Sequence, residues 1–176
     1  VKTGARGSIW SAVILYLLAF GAFAFDYLGR GFAYSLRTTE NTSPLYVILL
    51  FFLPVALFII CSYMVSELHD GKGWFMTVFI GMSYALVPWI CFLPAVTVMT
   101  HVLALNESFL ITFSSLLVYA WTTVLVILAI REIHEYELHQ VLGNIMLTFF
   151  MTVVVIFAFS IIGMFWDKAI EIASSI

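Results

Sequence analysis

From Pro44 to Ser66, Trp74 to Thr100, Ser108 to Ile130 and Val141 to Trp166 the sequence carries no Asp, Glu, Lys, Arg or His. A fifth apolar run, Ser8 to Leu28, admits one charge, Asp26, near its end. A bilayer core about 30 Å thick takes roughly 20 apolar residues per helical crossing, so every one of these runs can span. Inside hydrocarbon each backbone N–H and C=O must be satisfied within the protein, which leaves helices or a closed barrel. Continuous apolar runs, in place of period-two alternation, select the helix. The predicted fold is therefore all-α: one polytopic domain over residues 1–176, a bundle of five transmembrane helices at about 8–28, 44–66, 74–100, 108–130 and 141–166. Composition agrees, with 64% hydrophobic and 10% charged residues where soluble domains run near half and a quarter.

Local signals sharpen the spans. The first run is long enough to cross and is followed by no small-residue cleavage pattern, so it is expected to be a span and not a cleavable signal. Ser43 is the expected N-cap of span two, with Pro44 at its first position, where a missing N–H costs nothing. Pro54 is expected to kink that span, and Pro88 with Pro94 to bend span three. Asn106 and Glu107 are expected to cap span four, and Arg131 to Gln140 to form a polar connection before span five. Trp10, Trp74 and Trp166 fit the interfacial aromatic belt, whereas Trp89 and Trp121 are expected to pack deeper. Five spans place the termini on opposite sides. Of the seven Lys and Arg, Lys2, Arg6, Lys72 and Arg131 share the N-terminal side and Arg30, Arg37 and Lys168 the other, which puts the N-terminus in the cytoplasm by a narrow margin.

The charges that are missing exclude more than those present. Ionisable groups keep to the connections and span ends, whereas pumps and ion-coupled carriers place them inside the bundle. No inverted repeat of the kind that marks many carriers is visible. A net charge of −3 without a basic cluster excludes a nucleic-acid partner. Cys61 and Cys91 lie in apolar runs and act as small hydrophobes. Polar residues within spans, among them Ser83, Thr122, Asn144 and Thr148, are expected to knit helices together.

Two connections on the N-terminal side collect polar side chains: Glu67, His69 and Asp70 in one, Arg131, Glu132, His134, Glu135, Glu137 and His139 in the other. A metal or acid/base site built from His69, Asp70, His134 and Glu135 is the weaker reading of them. His134-Glu135 matches the first two residues of the H-E-x-x-H zinc motif, but Leu138 replaces the second histidine and His139 comes one residue late. At i, i+5 the two histidines diverge by about 140° on a continuous helix. The plainer expectation is a solvated helix end with Glu135 and His139 paired at i, i+4. Asp70-Gly71 is expected to be a tight turn in which glycine supplies positive φ. Asn41-Thr42-Ser43 and Asn106-Glu107-Ser108 match the glycosylation sequon but sit too close to a span to carry weight.

Read together and in order, Asp70-Gly71-Lys72-Gly73-Trp74-Phe75, Ser83-Tyr84-Ala85-Leu86-Val87-Pro88-Trp89, Leu103-Ala104-Leu105-Asn106-Glu107, His134-Glu135-Tyr136 and the run from Asn144 to Thr148 resemble the Yip domain family, the Ypt/Rab-interacting membrane proteins, and most of all its bacterial branch. The resemblance covers Ser8 to the end of span five. It implies a five-span domain with a cytoplasmic N-terminus, in a bacterial plasma membrane. Eukaryotic members act in vesicle traffic between the endoplasmic reticulum and Golgi, binding small GTPases and one another; some bacterial members are associated with carbohydrate importers. The residues singled out by these motifs are Asp70, Gly71, Gly73, Tyr84, Pro88, Asn106, Glu107, His134, Glu135 and Tyr136. The sequence departs from the bacterial pattern after Tyr136, where serine, an aromatic, glycine and lysine are expected and Glu137, Leu138, His139 and Gln140 stand. That puts in doubt whatever contact a basic residue makes there.

The function these observations favour is a non-enzymatic membrane adaptor or transporter accessory, with no cofactor, in contact with the bilayer and with other membrane proteins: importer subunits or further copies of itself. The alternatives are a small oligomeric transporter or channel, for which kinked spans two and three would supply irregular backbone around a cavity, and the metalloenzyme.

Overall fold

The computed structural model describes residues 7–31, 34, 43–68 and 71–174. Its helices are α1 (Ile9–Gly29), α2 (Pro44–Leu68), α3 (Phe75–Ala85), α4 (Val87–Val102), α5 (Ser108–His134) and α6 (Leu138–Ser174), with a 3-10 turn at Leu105–Glu107 before α5. Since α3 and α4 together make one crossing, five helical segments are long and apolar enough to span a membrane. The protein is a five-span helical membrane bundle. We call the side on which α1 begins the N-side; it also carries the α2–α3 and α5–α6 connections.

Lipid is as apolar as leucine, so burial of apolar surface does not drive these helices together; close packing and interhelical hydrogen bonds do. The stripe on α1 shows this. Ala12, Tyr16, Ala19 and Ala22 are buried, and the small alanines let α1 pack closely along α3 and α4. Tyr16 packs its ring against Phe79, tilted by 41° with centroids 4.8 Å apart, and donates to the Phe79 carbonyl at 2.9 Å. A second seam joins α2 to α6: Asn144 Nδ2 donates to Ser66 Oγ at 3.2 Å, Thr148 Oγ1 approaches Asn144 Oδ1 at 3.5 Å and Thr152 Oγ1 donates to the Thr148 carbonyl at 2.8 Å. Asn144 thus bonds from helix to helix as expected, whereas the Thr148 and Thr152 bonds stay within α6, and Ser83 and Thr122 donate to the Ile80 and Val118 carbonyls of their own helices. Facing outward, α5 and α6 present many exposed apolar side chains, Phe149, Phe150 and Phe157 among them, which hydrocarbon covers.

Several local expectations meet corrections. Ser43 does cap α2, its Oγ accepting from the Tyr46 N–H at 3.2 Å, and α2 continues through Pro54 as one helix. Span three breaks outright at Leu86, between α3 and α4. Pro88, near the start of α4, has no N–H to offer the Tyr84 carbonyl, which ends one helix and starts the next. Asn106 and Glu107 do not cap α5 through their side chains. They lie in the 3-10 turn, where Glu107 Oε2 instead accepts from the Ala104 N–H at 3.3 Å. Trp10 and Trp74 are exposed at the N-side ends of their spans, in keeping with the belt. Trp121 is 61% exposed and faces lipid, because the buried stripe of α5 runs through Val118 and Thr122 instead. The Trp166 side chain and the sequon residues Asn41 and Thr42 lie outside the described residues.

Candidate functional site

The polar N-side connections meet at one point, and the chemistry of the meeting begins at the end of α5. Glu135 adopts a left-handed conformation, φ 56° and ψ 37°, and the N–H groups of Glu135 and Tyr136 both close on the Arg131 carbonyl. A helix commonly ends on such a residue, usually glycine. The reversal sends alternate side chains to opposite faces. His134 is 2% exposed and Tyr136 9%; their rings stack at 5.3 Å and 19°. Glu135 points outward and pairs with Lys72 at 2.8 Å, both side chains about two-thirds exposed or more.

Against this turn lies the α2–α3 connection. Gly73 N–H donates to His134 Nδ1 at 3.3 Å, Gly71 N–H donates to the Ser66 carbonyl at 2.8 Å and Tyr136 OH donates to the same carbonyl at 3.2 Å. Neither glycine has positive φ, so the expected reason for Gly71 is wrong. The real reason is proximity. A Cβ on Gly71 would come within 2.6 Å of His134 Nδ1, 2.7 Å of Tyr136 OH and 2.8 Å of the Ser66 carbonyl oxygen. On Gly73 it would collide with Ile133 and stand 2.8 Å from His134 Cε1. Because Nδ1 accepts, a neutral His134 carries its proton on Nε2, and Nε2 is buried with no hydrogen-bond partner among the described residues. The neighbouring Glu135 carboxylate holds the Lys72 ammonium above its ordinary pKa.

Of the residues singled out by sequence, Gly71, Gly73, His134, Glu135 and Tyr136 come together here. Asp70 and His69 lie outside the described residues. The remaining four sit elsewhere: Tyr84, whose hydroxyl shares a hydrogen bond with Ser11 Oγ at 2.9 Å, and Pro88 flank the mid-span break, while Asn106 and Glu107 are on the opposite side of the bundle. His134 and Glu135 do not converge on a common point, one facing the core and the other solvent, and no cluster of three potential ligands occurs among the described residues. The expected Glu135–His139 pair is replaced by His139 with Glu137 at 3.3 Å, because the helix breaks at Glu135.

A family model, the Yip1 domain, matches residues 2–162. The chain belongs to the Yip1 domain family. No curated protein and no solved structure matches it. In this Yip1 domain the residues of the motifs thus divide between the N-side clamp, the broken span and the far connection.

Sequence reasoning missed a second polar cluster of the Yip1 domain, on the side opposite the clamp. Asp26, 7% exposed, accepts from Arg30 Nε at 3.0 Å and Nη2 at 2.8 Å and from Thr97 Oγ1 at 2.8 Å. Thr100 Oγ1 accepts from Gly31 N–H at 2.9 Å and donates to the Thr97 carbonyl at 2.6 Å, while His101 Nε2 meets the Gly29 carbonyl at 2.6 Å. The i, i+4 spacing of Asp26 and Arg30 was a legible signal for the ion pair; nothing in the sequence pointed to Thr97.

Proposed function

We propose that this Yip1 domain is a non-enzymatic membrane adaptor, which assembles with other membrane proteins and presents its N-side connections to a partner. The observation that carries the reading is the clamp. Two connections far apart in sequence are fixed to each other by backbone and ring contacts that tolerate no added methyl group, which gives a preformed surface that loses little entropy on binding. Beside it, with Glu135 turned to Lys72, the exposed carboxylates of Glu132 and Glu137 form an acidic edge suited to a basic partner segment. Such rim charges govern encounter and partner choice more than raw affinity.

The test is affinity purification of the tagged chain from its native membrane in a mild solubiliser, with mass spectrometry of what is retained. Stoichiometric recovery of importer subunits or small GTPases is expected, and loss of that recovery in Glu132→Lys with Glu137→Lys. Recovery of the chain alone would overturn the adaptor reading. In that case a small oligomeric transporter gains from one feature, the backbone break at Leu86 within the third crossing, and solute flux into reconstituted vesicles becomes its test.

A further inference from the structure

On α2 the positions Phe52, Val55, Ala56, Ile59, Tyr63 and Glu67 follow i, i+3 and i+4 spacing and so share one face. Two concavities open along that face. The upper one, about 300 Å³, is lined by Tyr63, Glu67, Gly71, Lys72, Gly73 and Trp74; the lower, about 210 Å³, lies between α1, α2 and α3 and is walled by Val13, Tyr16, Phe52, Ala56, Ile59 and Phe79 among others. Between them Tyr63 and Phe75 meet edge to face at 5.5 Å. Phe79 stands one helical turn, about 6 Å, below Phe75, so the lower groove opens in the N-side half of a core about 30 Å thick and reaches the middle of the core along Ala56 and Phe52. Exposed Trp74 marks the headgroup level above it.

The two concavities differ in chemistry. The groove presents almost no polar surface, since the Tyr16 hydroxyl is engaged by the Phe79 carbonyl. A gap beside Ala56 forfeits dispersion contacts unless something fills it, and at this depth the filler at hand is an acyl chain. Among the described residues the upper concavity is lined by one cation, Lys72, and one carboxylate, Glu67, which the Tyr63 hydroxyl contacts. Lys72 already faces Glu135, so the three charged groups sum to a negative site. An anionic headgroup is disfavoured there. A zwitterion satisfies both ends, and a primary ammonium can donate hydrogen bonds to Glu67 where a quaternary one cannot.

We propose that the α2–α3 face binds one bilayer phospholipid with an ethanolamine-type headgroup: phosphate against Lys72, ammonium against Glu67, and one acyl chain in the groove beside Ala56. The site is separate from the acidic edge of the adaptor reading, and each can fail without the other.

To test it, the full chain is purified in mild detergent, stripped of bulk lipid and equilibrated with vesicles holding equal parts of ethanolamine, choline and glycerol phospholipids. Native mass spectrometry then reads what is retained. One ethanolamine phospholipid per chain is expected, favoured several-fold over the other two. Ala56→Phe, a change at an exposed position that fills the groove, should reduce retention to background without loss of helicity. Glu67→Lys should turn the preference toward the anionic glycerol lipid. Equal retention of all three headgroups, no lipid at unit stoichiometry, or unchanged retention in Ala56→Phe would overturn the proposal.

Discussion

The two ends of the bundle are fastened by different physics. On the N-side, neutral groups do the work: the Gly73 amide on His134, the Gly71 amide and Tyr136 hydroxyl on the Ser66 carbonyl. On the opposite side a charge pair, Asp26 with Arg30, is extended by Thr97 and Thr100 to the backbone at Gly31. The first fastening is a matter of shape, the second of charge. One should fail when a methyl group is added, the other when a carboxylate is taken away.

The largest effect is expected at Asp26. Asp26→Ala leaves the partly buried Arg30 without its bidentate acceptor and Thr97 without its carboxylate, and breaking such a pair costs about 3 kcal/mol. Thermal unfolding in detergent reads this directly, with Asp26→Asn expected to recover part of the loss by keeping the Thr97 bond. Next comes Gly71→Ala. The Ser66 carbonyl it would strike is backbone, which cannot swing aside as a side chain can, so a cost of about 2 kcal/mol is expected by the same assay, in the usual range for overpacking. Were Gly71→Ala neutral, the clamp would not be the close-fitting contact described above.

Smaller and opposite in sign is Glu135→Gly. Left-handed backbone costs a non-glycine residue about 1 kcal/mol, and relief of that strain should raise the unfolding midpoint slightly even though the contact with Lys72 is lost. Smallest of all is Lys72→Ala: the pair it removes is exposed, and exposed ion pairs contribute little. No measurable change in the melting midpoint is expected, nor any sensitivity of the clamp to added salt.

The sequence displayed one of these fastenings better than the other. Uncharged runs located the crossings, and the motif order brought Gly71, Gly73, His134 and Tyr136 to notice. Why they were there was not legible. Gly71 stood beside Asp70 as turn chemistry, whereas its role depends on His134, far along the chain and two crossings away. His134 and Glu135 stood together as a pair, and only the left-handed backbone at Glu135 separates their directions. Thr97, a single hydroxyl inside an apolar run, carried no signal of its own: its importance comes from the partner that α1 happens to bring beside it. The break at Leu86 was half visible, since Pro88 announced a disturbance but not whether the helix would bend or end.

By these contacts Gly71–Trp74 and His134–Tyr136 are expected to form one rigid unit. Hydrogen–deuterium exchange on the full chain in detergent, comparing wild type with His134→Ala, tests it most directly. The account predicts protection of the Gly71–Trp74 amides in the wild type and its loss in the variant, together with loss at Glu135–Glu137, while the far-side amides around Gly31 stay unchanged. Protection at Gly71–Trp74 that survives removal of the His134 ring would contradict it.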